Sequence, residues 1–129
     1  MDNYKFEREN GVCNIYAEGE IDLSNSQELR KMVLAALKTD QTVMVDLSKV
    51  SYIDSSGIAS LVEGLQFSKT RNKTFKLVNP SSHVKAILDL ARLDKVFQIE
   101  DSWWKTLSKK LDQHLFLVLK GLVLLSGYF

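Results

Sequence analysis

Hydrophobic and polar positions divide this chain into short alternating segments. Tyr4 and Phe6 alternate with Lys5 and Glu7, which predicts a strand with one apolar face. Asn10-Gly11 marks a hairpin turn, and residues 12–17 supply the returning strand with Cys13, Ile15 and Ala17 on one side. Residues 18–23 read as an acidic loop. Ser24, with Gln27 three positions on, fits a capping box, and Leu29, Met32, Val33, Ala36 and Leu37 form the buried stripe of a first helix. Residues 43–47 are partly β-branched and bounded by polar residues, as a buried strand would be. A loop over residues 48–52 leads to a second helix whose apolar face is Ile58, Leu61, Val62 and Leu65. Phe75, Leu77 and Val78 mark another strand, closed by Asn79-Pro80. Val84, Ile87, Leu88 and Ala91 give a third helix, and Val96, Phe97 and Ile99 a short last strand.

A hairpin followed by helices alternating with strands predicts an α/β fold. Its mixed sheet opens with the antiparallel hairpin and continues with parallel strands joined by right-handed crossovers. One domain spans residues 1–100, and a C-terminal tail spans 101–129. In the tail, Leu107, Leu111, Leu115, Val118, Leu122 and Leu125 share one stripe, which predicts an amphipathic helix. Between positions 115 and 125 only Lys120 and Gly121 interrupt the apolar residues. That run is short of the ~18 uninterrupted residues of a spanning helix. Three readings stay open for residues 103–129. They pack on the domain, mediate a dimer contact, or make a peripheral membrane contact with Trp103 and Trp104 at headgroup level.

Charge and composition narrow the function classes. Seventeen basic residues against sixteen acidic ones leave a net charge of +1, so no long-range field favours nucleic acid. A phosphate-binding glycine loop, an RNA-stacking motif and zinc-ligand spacing are all missing from the sequence, so no cofactor or metal is expected. Cys13, the single cysteine, has no internal disulfide partner. The first seven residues are charged and contain no apolar signal core. Together these predict a cytoplasmic protein, with the tail placing it at the inner face of the membrane on one reading.

The candidate chemistry lies at Asp54-Ser55-Ser56-Gly57, between the 43–47 strand and the second helix. Asp54 or Ser55 caps that helix, and Ser56 stands in its first turn, at the positive end of the helix dipole. Taken alone, the four residues only start a helix, and Ser55 and Ser48 are equally available as acceptors of a phosphate. A triad of Asp54, Ser56 and His83 is not supported, because the Gly-x-Ser-x-Gly elbow is missing and His83 reads as a solvated first-turn residue. Asp46 lacks the acidic pair that a phospho-accepting aspartate needs to hold magnesium. Lys69, Arg71, Lys73 and Lys76 read as a solvated helix end. No catalytic residue is assigned, and the chain is not expected to be an enzyme.

Three stretches carry a resemblance. Ile53-Asp54-Ser55-Ser56-Gly57-Ile58-Ala59 follows a strand, Gly19-Glu20-Ile21-Asp22 precedes the first helix, and Leu90-Ala91-Arg92-Leu93-Asp94-Lys95-Val96-Phe97 closes the last one. In that order and spacing they resemble the STAS domain family of bacterial anti-sigma-factor antagonists, over about residues 4–100. The resemblance implies a non-enzymatic module that binds an anti-sigma factor, itself a serine kinase. The serine matching Ser56 is phosphorylated by that partner, and phosphorylation releases it. Asp22, Asp54, Ser55, Ser56 and Gly57 match the partner-binding surface. A phosphoserine adds about −1.5 to −2 charges, and helix amides are expected to stabilise it at Ser56. A second branch of the family serves ABC permeases that move lipids between membranes, and the tail resembles the entry segment of such a permease. The alternative is therefore a STAS subunit or N-terminal domain regulating a lipid-transporting ABC permease, with the permease or its ATPase as partner.

Overall fold

The computed structural model describes residues 3–101. The expected tail over 101–129 lies outside these residues apart from Asp101. The order is β1 (Tyr4–Glu9), β2 (Val12–Ile21), α1 (Ser26–Thr39), β3 (Thr42–Ile53), α2 (Ser55–Thr70), β4 (Thr74–Val78), α3 (Ser82–Leu90) and β5 (Gln98–Glu100). The five strands form one sheet in the order β1-β2-β3-β4-β5. β1 and β2 pair antiparallel across the Asn10-Gly11 turn, where both residues take positive φ, and every later pair is parallel. The α/β fold with its opening hairpin is the one expected.

Alternation along the strands builds the core. Cys13, Ile15 and Ala17 of β2, Val43, Val45 and Leu47 of β3, and Phe75 and Leu77 of β4 turn to one face. Leu29, Val33, Ala36 and Leu37 of α1 join them in one cluster, with Leu61 and Leu65 of α2 and Val84 and Leu88 of α3. Each crossover steps to the next strand in the same direction, so right-handed connections bring the helices to this same face.

Several local expectations are corrected. β2 runs on to Ile21 through the stretch read as a loop, and β3 runs on to Ile53 through residues 48–52. Two register shifts between these strands accommodate the extra length, and Gly19 takes φ +83° beside one of them. α1 begins at Ser26, not after a Ser24 cap. Ser24 instead gives its amide and hydroxyl to the Asp22 carboxylate. Phe6 shares the apolar face of β1 with Tyr4 but is 54% exposed on the sheet edge, with the Arg8 guanidinium over its ring.

The buried stripe of α2 also differs from the periodicity of its large residues. It is Gly57, Ser60, Leu61, Gly64, Leu65 and Ser68, while Ile58 and Val62 are only partly buried on its flank. Small residues let the helix approach closely. A Cβ on Gly64 would come within 2.7 Å of Val33 on α1, and the Ser60 hydroxyl reaches the Ser26 carbonyl at 3.0 Å. This close α1–α2 seam fixes the helix start where the candidate chemistry stands.

Candidate functional site

The site is built where β2 and β3 end side by side. Ile21 pairs with Ile53, and the Asp54 amide continues the ladder onto the Ile21 carbonyl at 3.0 Å. This places the β2–α1 turn against the start of α2, and so brings Asp22 and Asp54 to one edge of the molecule.

Asp54 caps α2. Its Oδ1 accepts the Ser56 amide at 2.9 Å, the Gly57 amide at 3.1 Å and the Ser56 hydroxyl at 2.6 Å. The Leu23 backbone in the neighbouring turn also favours the charged form of this carboxylate. The Ser56 hydroxyl, helped by these amides, holds the Asp54 carboxyl below the usual carboxylate range. The helix-start amides at Ser56 and Gly57 are thus committed to Asp54. They are not free to cradle a phosphate on Ser56, as the sequence led one to expect, and only the dipole of the helix remains favourable.

Asp22 repeats the arrangement. Its Oδ1 accepts the Ser24 amide at 2.9 Å and the Ser24 hydroxyl at 2.5 Å. Asn25 fastens the turn, its Oδ1 accepting the Asp22 amide and its Nδ2 donating to the Glu20 carbonyl. The Tyr4 hydroxyl donates to Asn25 from β1, with the carbonyl at 3.2 Å and Oδ1 at 3.1 Å. Burial, then the nearby Glu28 and Asp22, push the Tyr4 pKa up, so it stays a neutral donor.

Of the five residues singled out by sequence, Ser55 is exposed and Asp22, Asp54 and Ser56 are half-buried. Gly57 lies beneath them. A Cβ there would stand 2.6 Å from Ile53 Cγ1 and 2.7 Å from Ile21 Cγ2, so this glycine lets α2 start directly against the strand ends. Sequence reading missed Leu23, which is 81% exposed between Asp22 and Ser24. An apolar residue inside a polar turn, flanked by two polar neighbours, was the available signal. It also missed Asn25 and Tyr4, whose roles depend on a contact 21 positions apart.

His83 stands apart from the serine site. Its ring packs on Tyr52 at 5.4 Å, and its Nε2 is buried with no hydrogen-bond partner among the described residues, so it is not the solvated residue expected. Ser48 repeats the Asp-x-Ser turn with Asp46 on the sheet, at 2.7 Å between hydroxyl and Oδ1. Among the described residues, no helix is long and apolar enough to cross a membrane.

Comparison with known proteins identifies the family. The family model of the STAS domain matches residues 3–114. The intermembrane phospholipid transport system binding protein MlaB of Haemophilus influenzae is 30% identical over 94 residues, covering 70% of this chain and 90% of its own. The anti-sigma-B factor antagonist of Listeria monocytogenes is 23% identical over 96 residues, covering 74% of this chain and 84% of its own. The structure of the anti-sigma factor antagonist SpoIIAA in its unphosphorylated form matches with a TM-score of 0.68 at 16% identity, covering 96% of each chain.

Proposed function

The chain belongs to the STAS domain family, and on that premise we propose that it is a protein-binding regulator whose affinity for its partner is switched by phosphorylation of Ser56. The partner is an anti-sigma factor that is also the serine kinase. Asp22, Leu23, Asp54, Ser55 and Ser56 form the contact surface, with Gly57 supporting it from below. The observation that carries this reading is the placement of the Ser56 hydroxyl, fixed on Asp54 and bordered by the Asp22 turn.

The transfer needs ATP and the kinase. The Ser56 oxygen bonds to the γ-phosphorus, the bond to the bridging oxygen breaks, ADP leaves, and the hydroxyl proton is lost to a base. The product carries about −1.5 to −2 charges next to Asp54 and Asp22. Because the Ser56 and Gly57 amides already serve Asp54, that charge is added to the surface with little neutralisation. Like-charge contact in an interface costs several kcal/mol, and about 2.7 kcal/mol is already a hundredfold in affinity. The fold need not move for the partner to leave.

A second reading rests on the 30% identity to the phospholipid-transport protein MlaB. There the same edge docks on the permease or ATPase of a lipid-transporting ABC system at the inner face of the membrane, and Ser56 is a contact residue rather than a switch.

One experiment separates the two. The full chain is used to recover partners from native cytosol and membranes, the recovered complex is given ATP, and the phosphate is mapped by mass spectrometry. The switch reading expects a serine kinase in the complex and a phosphate on Ser56. Recovery of a permease or its ATPase, with Ser56 unmodified, would replace it by the second reading.

A further inference from the structure

β1 is one edge of the sheet, and among the described residues nothing pairs with its outer side. Its ladder to β2 is continuous from Tyr4 to Glu9, with no register shift, and the strand contains no proline. β5, the opposite edge, is three residues long. Proteins blunt an exposed edge by shortening it, by a bulge, by proline or by charge. β1 has only charge, and its charges alternate in sign.

The groups that β1 presents outward follow from its pairing. The Asn3 carbonyl accepts the Glu18 amide at 2.9 Å, so the Asn3 backbone faces β2. Hydrogen-bonding direction alternates along an antiparallel pair, so the backbones of Lys5, Glu7 and Glu9 face β2 as well. Tyr4, Phe6 and Arg8 therefore direct their amides and carbonyls to the outer side. Phe6, 54% exposed, stands at the middle of this row.

From this we infer that β1 pairs antiparallel with β1 of a second copy, about a two-fold axis at Phe6, joining the two sheets into one. The self-complementarity of the strand selects both the occupant and the register. An axis at Phe6 sets Phe6 against Phe6 and Tyr4 against Arg8, so that every outward-facing residue meets another. It also sets Lys5 against Glu7 in the positions between, where side chains of opposed residues approach most closely. An axis at Lys5 or at Glu7 would instead oppose two lysines or two glutamates, which destabilises a cross-strand pair. An axis between residues would set an outward-facing backbone against an inward-facing one.

Both charges are available for this role. Lys5 and Glu7 are exposed, and no hydrogen bond or ion pair engages the Lys5 ammonium among the described residues. The Glu7 carboxylate meets the Tyr16 hydroxyl of its own chain at 3.4 Å. In the joint sheet β2 of one copy runs opposite to β2 of the other, so the two Ser56 edges come to opposite ends.

Sedimentation velocity on the full-length chain, over a dilution series reaching about 1 mM, reads the association. Lys5→Glu, Glu7→Lys and the double exchange are compared with the parent, with circular dichroism confirming that each is folded. Under the two-fold axis each single exchange creates like-charge pairs at both symmetric positions, and the double exchange restores opposite charges. The expected result is a monomer–dimer equilibrium in the parent, weakened about tenfold or more in each single variant and recovered in the double one. Amide hydrogen exchange at Phe6 and Arg8 is expected to slow as the parent is concentrated. A parent that stays monomeric throughout overturns the inference. Association that both folded single variants leave unchanged assigns the contact to another surface and overturns it too, as does a double variant that associates no better than the single ones.

Discussion

The Ser56 hydroxyl donates to Oδ1 of Asp54 at 2.6 Å, and that oxygen also takes the amides of Ser56 and Gly57. One carboxylate oxygen thus orients the serine and closes the start of α2. The Leu23 backbone of the Asp22 turn also helps to keep this carboxylate ionised.

This predicts a specific pH dependence. The folded pKa of Asp54 is lowered from its ordinary value of about 3.9. Its ionised form therefore contributes stability that is full above about pH 4 and is lost as pH falls through the lowered folded value. Asp54→Asn keeps a capping oxygen but no charge. Its urea midpoint should fall below that of the parent at neutral pH, and the gap should close in acid. A gap that stays constant through the carboxylate range would contradict the assignment.

Gly57→Ala is expected to destabilise the domain by about 1–3 kcal/mol, as overpacking does in a filled core. The added Cβ has nowhere to go between the buried side chains of Ile21 and Ile53. Denaturant unfolding measures the loss, and unchanged stability would mean that α2 starts less tightly against the strands.

Tyr4→Phe removes the hydroxyl that holds Asn25 and leaves the ring in place. The expected loss is about 0.5–1.5 kcal/mol. Hydrogen exchange should quicken at the Asp22 amide, which donates to Asn25 Oδ1. Slow exchange at Asp22 in the variant would show that the β2–α1 turn does not depend on β1.

Leu23→Ala separates binding from folding. With the side chain 81% exposed, stability should change by no more than about 0.5 kcal/mol, while affinity for the partner falls. Undiminished affinity would place the contact surface away from this turn.

Much of this was legible in the sequence. Asn10-Gly11 announced the hairpin, and Asp54 followed by an apolar helical pattern announced the cap, because both are local chemistry. The buried stripe of α2 was not, since periodicity weighs large residues. Ile58 and Val62 drew the stripe to the flank, whereas Gly57, Ser60, Gly64 and Ser68 are buried because they are small. That spacing of small residues every three or four positions was the overlooked sign of a close helix seam. The extensions of β2 and β3 were hidden because residues 18–20 and 48–52 are rich in polar side chains, and the ladder there is set by pairing between the two strands. Tyr4, Asn25 and Leu23 needed the third dimension: their places in the site follow from β1 reaching α1 and from β2 ending beside β3.

The most direct measurement is the affinity of the purified partner for the full-length chain and for its Ser56→Ala and Ser56→Asp variants, by titration calorimetry, with circular dichroism recorded on each. The switch predicts that Ser56→Ala binds within a small factor of the parent, while Ser56→Asp binds about a hundredfold or more weaker with an unchanged spectrum. Equal affinity of Ser56→Asp and the parent would contradict it, and would leave Ser56 as part of a helix cap with no hand in regulation.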